Sequence, residues 1–366
     1  MAKKIYPEKR GRVEYQQVDS AILMDNPLGD PSTRVLPVYL PYHYDLPRAA
    51  KRRFPLLVDM AGFTGSGLSH TNWRNFEENV PEKLDRLIAS GRMPPCIVAF
   101  PDCFTALGGN QYINSSAIGR YADYLTREIL PHLDRNFRTT GSREQRACFG
   151  KSSGGYGAMV HGLKYARYWG AVGNHSGDAY FDFVYKAEWP KVLTALQGFA
   201  DPALSAGQRR SRLAQANPGQ DDGRIARFLD YCWSTQKLSG TDITVLMMVC
   251  MAATYDPDPR APNGFRLPYD LESGELLERR WKAWLKHDPI HMVARYKDNL
   301  KKLKAIFIDC GWRDQYYIHF GSRQLSNQLR KHGITHRYEE FNDTHSGIDY
   351  RMDVSLPYLA RQISEG

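Results

Sequence analysis

One short segment carries the residue types and the spacing of a serine nucleophile. Residues 148–162 read CFGKSSGGYGAMVHG and fit the pattern G-x-S-x-G once, with Gly150, Ser152 and Gly154. In a nucleophile elbow the serine lies on a sharp turn between a strand and a helix, and small residues on both sides let neighbouring backbone approach it. Ser153 does not fit, because a lysine stands two residues before it. The segment therefore predicts that Ser152 is a nucleophile; the alternative is a glycine-rich turn without chemistry.

A serine nucleophile needs a general base, and the base needs a carboxylate to orient it. In hydrolases with such an elbow, the acid and then the histidine follow the serine in chain order. The apolar run KAIFIDCGWRDQYY contains Asp309 inside the strand and Asp314 in the loop just beyond it. Ligands of open α/β sheets bind beyond the carboxyl ends of strands, which favours Asp314. His345, in the late loop YEEFNDTHSGIDYR, is the predicted base. Asp343 is a rival acid, but it lies only two residues before His345, which makes the geometry awkward.

The oxyanion of an acyl-transfer intermediate needs backbone N–H donors. One is expected from Ser153, the residue after the nucleophile. The second is expected from the loop after an early strand, where LLVDMAGFTGSG ends in Ala61 and Gly62. A glycine there lets the next N–H turn inward, so Phe63 is the predicted donor; Thr64 is an alternative.

Two further segments are expected to contact a substrate. The loop GGNQYINSS, residues 108–116, contains Gln111 and Tyr112, and the segment NHSGD contains His175 and Asp178. GGNQYINSS is predicted to be a loop over the site, and NHSGD follows the predicted strand at 169–173 near the same sheet edge as Ser152. These four residues are candidate pocket residues; the alternative is that they are hydrogen-bonded loop residues with no contact to substrate.

The elements that must position these residues alternate between strands and helices. Apolar runs such as FPLLVDMAGF and PCIVAFPD are separated by segments with helical spacing, including a long one with a predicted break near Pro131. Such alternation predicts a mostly parallel central sheet with helices on both faces. The pattern stops near Tyr185 and resumes with KAIFIDCG. We therefore predict a single α/β domain over residues 1–366 with a helical insertion at 186–300.

Composition narrows the class of protein. The chain has 366 residues, 42% hydrophobic and 24% charged, with a net charge of +9. No basic–aromatic repeat accompanies this charge, so nucleic acid is not an expected partner. The longest apolar run, residues 243–253, is too short to span a bilayer, and stable membrane insertion is not expected. Six cysteines without a CxxC pair predict buried thiols, and no signal peptide is recognised; these features predict a cytoplasmic protein. A homo-oligomer is compatible with this composition.

No cofactor or metal is predicted. His287 and His291 are four residues apart, but Pro289 lies between them and interrupts helical geometry. No carboxylate spacing indicates calcium or magnesium.

The predicted insertion is rich in large apolar side chains: Trp189, Trp233, Met247, Met248, Met251, Tyr255, Trp281 and Trp284. One interpretation is an ordinary helical core. The other is a cap that shapes an apolar pocket over Ser152. The two interpretations are compatible with each other.

Taken together, these motifs resemble the putative esterase family of α/β hydrolases. That family includes S-formylglutathione hydrolases (esterase D), enterochelin-esterase-like proteins, feruloyl and acetylxylan esterases and the antigen 85 mycolyltransferases. The resemblance covers most of the chain except roughly 186–300, and it is carried by FPLLVDMAGF, GKSSGGYGAM, DCGWRDQY and NDTHSGIDYR among other segments. Many members have His-Gly where this chain has Ala61-Gly62, so a polar neighbour of the oxyanion site is missing.

The resemblance implies the α/β-hydrolase fold and assigns the nucleophile to Ser152, the acid to Asp314 and the base to His345. It also places an insertion such as 186–300 where caps usually lie in this fold. The predicted function is a serine carboxylic-ester hydrolase that acts on a small-molecule ester through an acyl-enzyme. Two alternatives stay open: an acyltransferase with the same triad, and a non-catalytic binding protein on a hydrolase scaffold.

Overall fold

An eight-stranded sheet forms the centre of the computed structural model, which describes residues 7–205, 207–208 and 221–364. Its strands are β1 (Arg12–Asp19), β2 (Thr33–Leu40), β3 (Leu56–Met60), β4 (Ile97–Ala99), β7 (Arg146–Lys151), β8 (Ala171–His175), β9 (Ala305–Gly311) and β10 (Arg337–Phe341). A separate short pair consists of β5 (Asn114–Ser115) and β6 (Gly119–Arg120).

The strand order is β1-β2-β4-β3-β7-β8-β9-β10. Only the β1–β2 and β2–β4 pairs are antiparallel; β4, β3, β7, β8, β9 and β10 run parallel to one another. Every residue of β3, β8 and β9 is buried, which explains their nearly continuous apolar sequences. The predicted mostly parallel sheet is confirmed, and the loops that follow the parallel strands meet along one edge.

Helices cover both faces of this sheet. They are α1 (Gly67–Thr71), α2 (Val80–Ala89), α3 (Tyr121–Asp123), α4 (Leu130–Asn136), α5 (Ser153–Lys164), α6 (Phe181–Val184), α7 (Trp189–Gln197), α8 (Arg224–Ser234), α9 (Gly240–Tyr255), α10 (Glu278–Leu285), α11 (Pro289–Leu300), α12 (Ile318–Lys331) and α13 (Met352–Ser364). Short 3₁₀ helices lie at Tyr42–Asp45, Pro47–Ala49, Arg143–Gln145, Ala166–Tyr168, Lys186–Glu188 and Ile348–Arg351.

The sheet separates two apolar clusters. The smaller cluster lies under α2 and α13, with Leu84 and Leu356 among its members. The larger cluster includes the buried face of α5 and most buried side chains of α7, α9 and α10. Because side chains alternate along a strand, β3, β7, β8 and β9 each contribute to both clusters. Whether a residue holds an odd or an even position in its strand decides which face of the sheet it lies on.

The long helical segment before β7 differs from the prediction. A break was expected near Pro131, but α3 continues through a π-helical stretch at Tyr124–Ile129 directly into α4. Proline has no N–H to donate, and a wider π turn before it accommodates the missing bond without ending the helix. In the described part of the chain, no helix combines the length and apolarity needed to cross a bilayer.

Candidate active site

Ser152 occupies the turn between β7 and α5. Its backbone has φ 57° and ψ −124°, a conformation that residues other than glycine rarely adopt. The N–H of Ser152 donates to the carbonyl of His175 at 2.9 Å, and its own carbonyl accepts from the N–H of Tyr156 at 2.9 Å. These two bonds hold the strained turn, so the serine side chain is presented at the start of the helix.

The glycines of the motif have a direct steric reason. A Cβ atom built on Gly150 would lie 2.2 Å from the carbonyl oxygen of Met60, and one built on Gly154 would lie 1.8 Å from the same atom. Any side chain at either position would collide with the end of β3. Gly62, in the loop after β3, would place a Cβ 3.6 Å from that of Ser152. The motif therefore lets the loop after β3 pass close to the serine.

His345 and Asp314 form a buried hydrogen-bonded pair. His345 lies in the loop after β10, and its Nδ1 is 2.7 Å from Oδ2 of Asp314, in the loop after β9. The other carboxylate oxygen of Asp314 accepts from the N–H of Tyr316 at 2.9 Å. The N–H of His345 donates to Oε1 of Gln315 at 3.0 Å. With Nδ1 occupied by the carboxylate, Nε2 is the ring nitrogen left for proton transfer.

The two rival acids lie elsewhere. Asp343 accepts from the N–H of Thr344 at 2.8 Å and from the hydroxyl of Tyr350 at 3.0 Å. Asp309 points to the opposite face of the sheet, toward α13, where its carboxylate is bound by His175 and Arg351. Of the three aspartates considered from the sequence, the structure brings only Asp314 onto His345.

The predicted oxyanion donors lie beside Ser152. The N–H of Thr64 donates to the carbonyl of Gly108 at 2.9 Å, so this alternative donor is already used. Among the described residues, the N–H groups of Phe63 and Ser153 donate no hydrogen bond. The ring of Phe63 packs against Gly109, where an added Cβ would lie 2.3 Å from it. This packing and the Thr64 bond hold the loop that carries the Phe63 N–H.

A cavity of about 570 Å³ lies over these groups. Gly62, Phe63, Ser152 and His345 line it, together with apolar side chains that include Ile243 and Met247 from α9. Residues from the region predicted as an insertion thus form part of the wall around Ser152.

Asp178 is the one predicted pocket residue that lines this cavity. Its Oδ2 accepts from the hydroxyl of Tyr185 at 2.8 Å and from Nε2 of Gln111 at 3.1 Å. Burial raises the pKa of Asp178, while the Tyr185 hydroxyl and the charge of His345 act to lower it. Gln111 also donates to Oγ of Ser153 at 3.0 Å. Gln111 thus lies behind the wall and supports Ser153 and Asp178.

Tyr112 and His175 do not line the cavity, which corrects the expectation from the sequence. The hydroxyl of Tyr112 donates to the carbonyl of Ala61 at 2.5 Å, so this residue braces the loop after β3. His175 is the last residue of β8 and has the same parity as Ala171, which packs under α13. Its ring lies 2.6 Å from Oδ1 of Asp309 and 2.8 Å from Oγ of Ser355. Parity along the strand therefore turns His175 away from Ser152.

Sequence reasoning missed a second histidine in the cavity wall. His70, on α1, lines the cavity, and its Nδ1 lies 2.6 Å from Oδ2 of Asp59 on β3. The available signal was the aspartate inside the apolar run LLVDM, because a buried carboxylate needs a partner. Across residues 7–205, 207–208 and 221–364, no group of three or more His, Cys, Asp or Glu side chains is arranged to hold a metal ion.

Similarity to curated proteins covers parts of the chain. It is 30% identical over 149 residues to an endo-1,4-beta-xylanase/feruloyl esterase of Xylanibacter ruminicola, spanning 39% of this chain and 19% of that protein. It is 32% identical over 110 residues to an esterase of Mycobacterium tuberculosis, spanning 28% of this chain and 23% of that protein. The chain thus spans only about a fifth of the length of these relatives.

Solved structures with the same fold cover nearly the whole chain. A ferulic acid esterase superposes with a TM-score of 0.55 at 17% identity, covering 97% of this chain and all of that one. An S-formylglutathione hydrolase from Agrobacterium tumefaciens has a TM-score of 0.54 at 15% identity, with 98% of each chain covered. The predicted α/β-hydrolase fold is confirmed. A family model described as "Putative esterase" matches residues 31–355. The chain therefore belongs to the putative esterase family.

Proposed function

We propose that this protein is a serine carboxylic-ester hydrolase in which Ser152, His345 and Asp314 form the catalytic triad. The observation that carries this proposal is the 2.7 Å pair between His345 and Asp314, which lines the same cavity as a serine held at φ 57°. Relatives named esterase and feruloyl esterase support the same class of reaction.

In the first half of the reaction, Oγ of Ser152 attacks the ester carbonyl while Nε2 of His345 takes its proton. Asp314 keeps the imidazole in the tautomer that has Nδ1 protonated and stabilises the imidazolium that forms. The alcohol leaves with the proton returned by His345. The remaining acyl group is covalently bound to Ser152.

The N–H groups of Phe63 and Ser153 are the proposed donors to the oxyanion. Each such donor contributes about 2.7–4 kcal/mol of transition-state stabilisation in a well-studied protease. In the second half, His345 activates a water that attacks the acyl-enzyme, and the acid product leaves. None of these steps requires a cofactor.

We propose that residues 186–300 act as a cap within a single α/β domain. Ile243 and Met247 of this region line the cavity, and Val184 and Tyr185 lie just before it and line the same wall. Other members, such as Trp284 and Met248, pack in the larger apolar cluster instead. An apolar wall of this kind favours esters with an aromatic or aliphatic group next to the carbonyl.

The test is labelling with a fluorophosphonate, which reacts with activated serines. Wild-type protein and Ser153→Ala should be labelled, the latter more slowly because Ser153 accepts from Gln111. Ser152→Ala should not be labelled. A panel of p-nitrophenyl esters of rising chain length, with feruloyl esters and S-formylglutathione, then identifies the acyl preference.

Two results would contradict the proposal. Labelling that survives Ser152→Ala would place the nucleophile elsewhere. Folded wild-type protein that is neither labelled nor active on any ester of the panel would indicate a binding protein on a hydrolase scaffold. Product analysis with an added alcohol acceptor separates hydrolysis from acyl transfer.

A further inference from the structure

A second histidine–aspartate pair lies in the wall of the cavity that contains Ser152. Asp59 is on β3 and is 1% exposed, whereas His70 on α1 lines the cavity. Nδ1 of His70 lies 2.6 Å from Oδ2 of Asp59. The other oxygen, Oδ1, is buried and has no hydrogen-bond partner among the described residues. The proposed reaction does not use either residue.

The burial of Asp59 determines the charge of its partner. A buried carboxylate without a compensating cation is very costly, and His70 is the group that pairs with Asp59. Burial acts to lower the pKa of His70, but the charge and the hydrogen bond of Asp59 outweigh this effect, so the pKa is raised. Asp349, in the 3₁₀ helix Ile348–Arg351, also raises it, and Arg74 lowers it. The raised pKa of His70 favours its imidazolium form, with Asp59 as the counter-ion on the protein side.

The second ring nitrogen of His70 is available to a group bound in the cavity that His70 lines. Nδ1 is used by Asp59, and within the described ranges no hydrogen bond to Nε2 of His70 is found. In the protonated ring, Nε2–H is a charged donor. Lys151 lines the same cavity. Arg74, Glu77 and Asp349 line it as well, and there the charge of Arg74 is matched by Glu77 at 2.8 Å and by Asp349 at 3.7 Å. A charged donor in the wall of a reaction cavity recognises an acceptor on the substrate, and an anionic acceptor gives the strongest such bond.

We propose that His70, held by Asp59, is a specificity-determining residue that binds a carboxylate carried by the ester substrate. This inference rests on the proposed ester hydrolysis and adds the class of substrate: an ester with a free carboxylate on its acyl or its alcohol part.

The experiment compares pairs of substrates that differ only in this charge. For the acyl side, the pair is the p-nitrophenyl ester of adipic acid and that of its monoamide. For the alcohol side, it is p-carboxyphenyl butyrate and p-carbamoylphenyl butyrate. The measured quantity is the ratio of kcat/KM for the acid to kcat/KM for the amide. The same proposed triad acts on both members of a pair, so the ratio reports the recognition of the carboxylate.

In wild-type protein, one of the two pairs should show a ratio of roughly ten or more, the size expected for a charge-assisted hydrogen bond. The ratio should fall as pH rises through the pKa of His70, which lies above its ordinary 6.5. Both test carboxylates stay ionised over this range. His70→Asn should lower the ratio to about one and make it independent of pH. The control His43→Asn removes a histidine that does not line this cavity and should retain the wild-type ratio.

The outcomes separate the two proposals. Ratios near one for both pairs in wild-type protein, with amide substrates hydrolysed and Ser152 labelled, would overturn the role of His70 and leave the esterase intact. A high ratio that His70→Asn does not change would also overturn it. If His70→Asn does not fold, the wild-type ratio at pH 6 decides, because the pKa of His70 lies above 6.5: a ratio near one for both pairs at that pH overturns the proposal. Absence of labelling would instead mean that the proposed hydrolysis has failed.

Discussion

Two sets of serine, histidine and aspartate lie near the edge of the sheet where the parallel strands end. In one set His345 lies 2.7 Å from Asp314, and Ser152 lines the same cavity. In the other, His175 lies 2.6 Å from Asp309 and 2.8 Å from Oγ of Ser355, which is on α13. By residue type and hydrogen-bond distance alone, the second set is the more complete.

The difference is access and backbone conformation. Ser355 and Asp309 are 0% exposed and His175 is 2% exposed, all between the sheet and α13. Arg351 donates to the remaining oxygen of Asp309 at 2.9 Å, which completes an internal polar network. Ser355 lies within α13, and its φ is not positive. We therefore expect that a hydrogen-bonded triad alone does not give catalysis, and that a presented serine and a cavity that admits a carbonyl are needed as well.

The largest expected effect separates the two serines. Ser152→Ala should lower kcat by a factor on the order of 10⁶, the loss found when the serine of another triad hydrolase is removed. Ser355→Ala removes only an internal hydrogen bond and should keep kcat within about threefold while lowering stability by about 1 kcal/mol. Hydrolysis of a p-nitrophenyl ester and urea unfolding measure the two quantities. Loss of activity in Ser355→Ala with a folded protein would make the buried set catalytic.

The next largest expected effect on kcat distinguishes Asp314 from Asp343. Asp314→Asn should lower kcat by about 10⁴, because the amide holds the histidine in the wrong tautomer, as in the worked example of a serine protease. Asp343→Asn is the matched control. Asp343→Asn should lower kcat by less than about tenfold, since Asp343 accepts hydrogen bonds from Thr344 and Tyr350 and none from His345. If the two variants exchange effects, Asp343 is the orienting acid.

A smaller expected effect, on stability, tests the role of the buried set His175, Asp309 and Ser355. His175→Gln removes its contacts to Asp309 and Ser355 and should lower the free energy of unfolding by about 1–3 kcal/mol. Its kcat/KM should stay within about tenfold of wild type, because the ring does not line the cavity. Unfolding is followed by urea denaturation at constant pH. A variant as stable as wild type but catalytically dead would reverse the assignment of His175.

The smallest expected effect is on acyl-chain preference, and it concerns the apolar wall of the cavity that Ser152 and His345 line. Met247→Ala enlarges the cavity and should shift the preference between butyryl and octanoyl p-nitrophenyl esters by about tenfold or less. Its neighbour Met248 is fully buried and does not line the cavity. Met248→Ala should therefore lower stability by about 2–5 kcal/mol and leave chain-length preference unchanged. Equal shifts in both variants would show that the wall does not select the acyl chain.

Short sequence motifs could be recognised from the sequence, whereas the direction in which a side chain points from the sheet could not. The elbow around Ser152 was predictable because Gly150 and Gly154 are required by contacts with the end of β3 and leave a short, recognisable motif. His175 was placed on the wrong side, because its side depends on the parity of β8 relative to α13. For residues 186–300, the sequence likewise did not distinguish side chains that line the cavity from side chains in the core. Met247 lines the cavity, whereas Met248, one residue later, is buried in the core.

The amino-acid sequence by itself determined the strand–helix alternation, the strained serine turn and the order of serine, acid and histidine. These features depend on backbone sterics and on periodicity within short segments. Only the tertiary structure decided which of three aspartates meets His345, and that Asp59 on β3 pairs with His70 on α1. Such pairings join segments far apart in the chain or on separate elements. They follow from the order of the strands in the sheet and from the face on which each side chain lies. Neither property can be predicted from a short stretch of sequence.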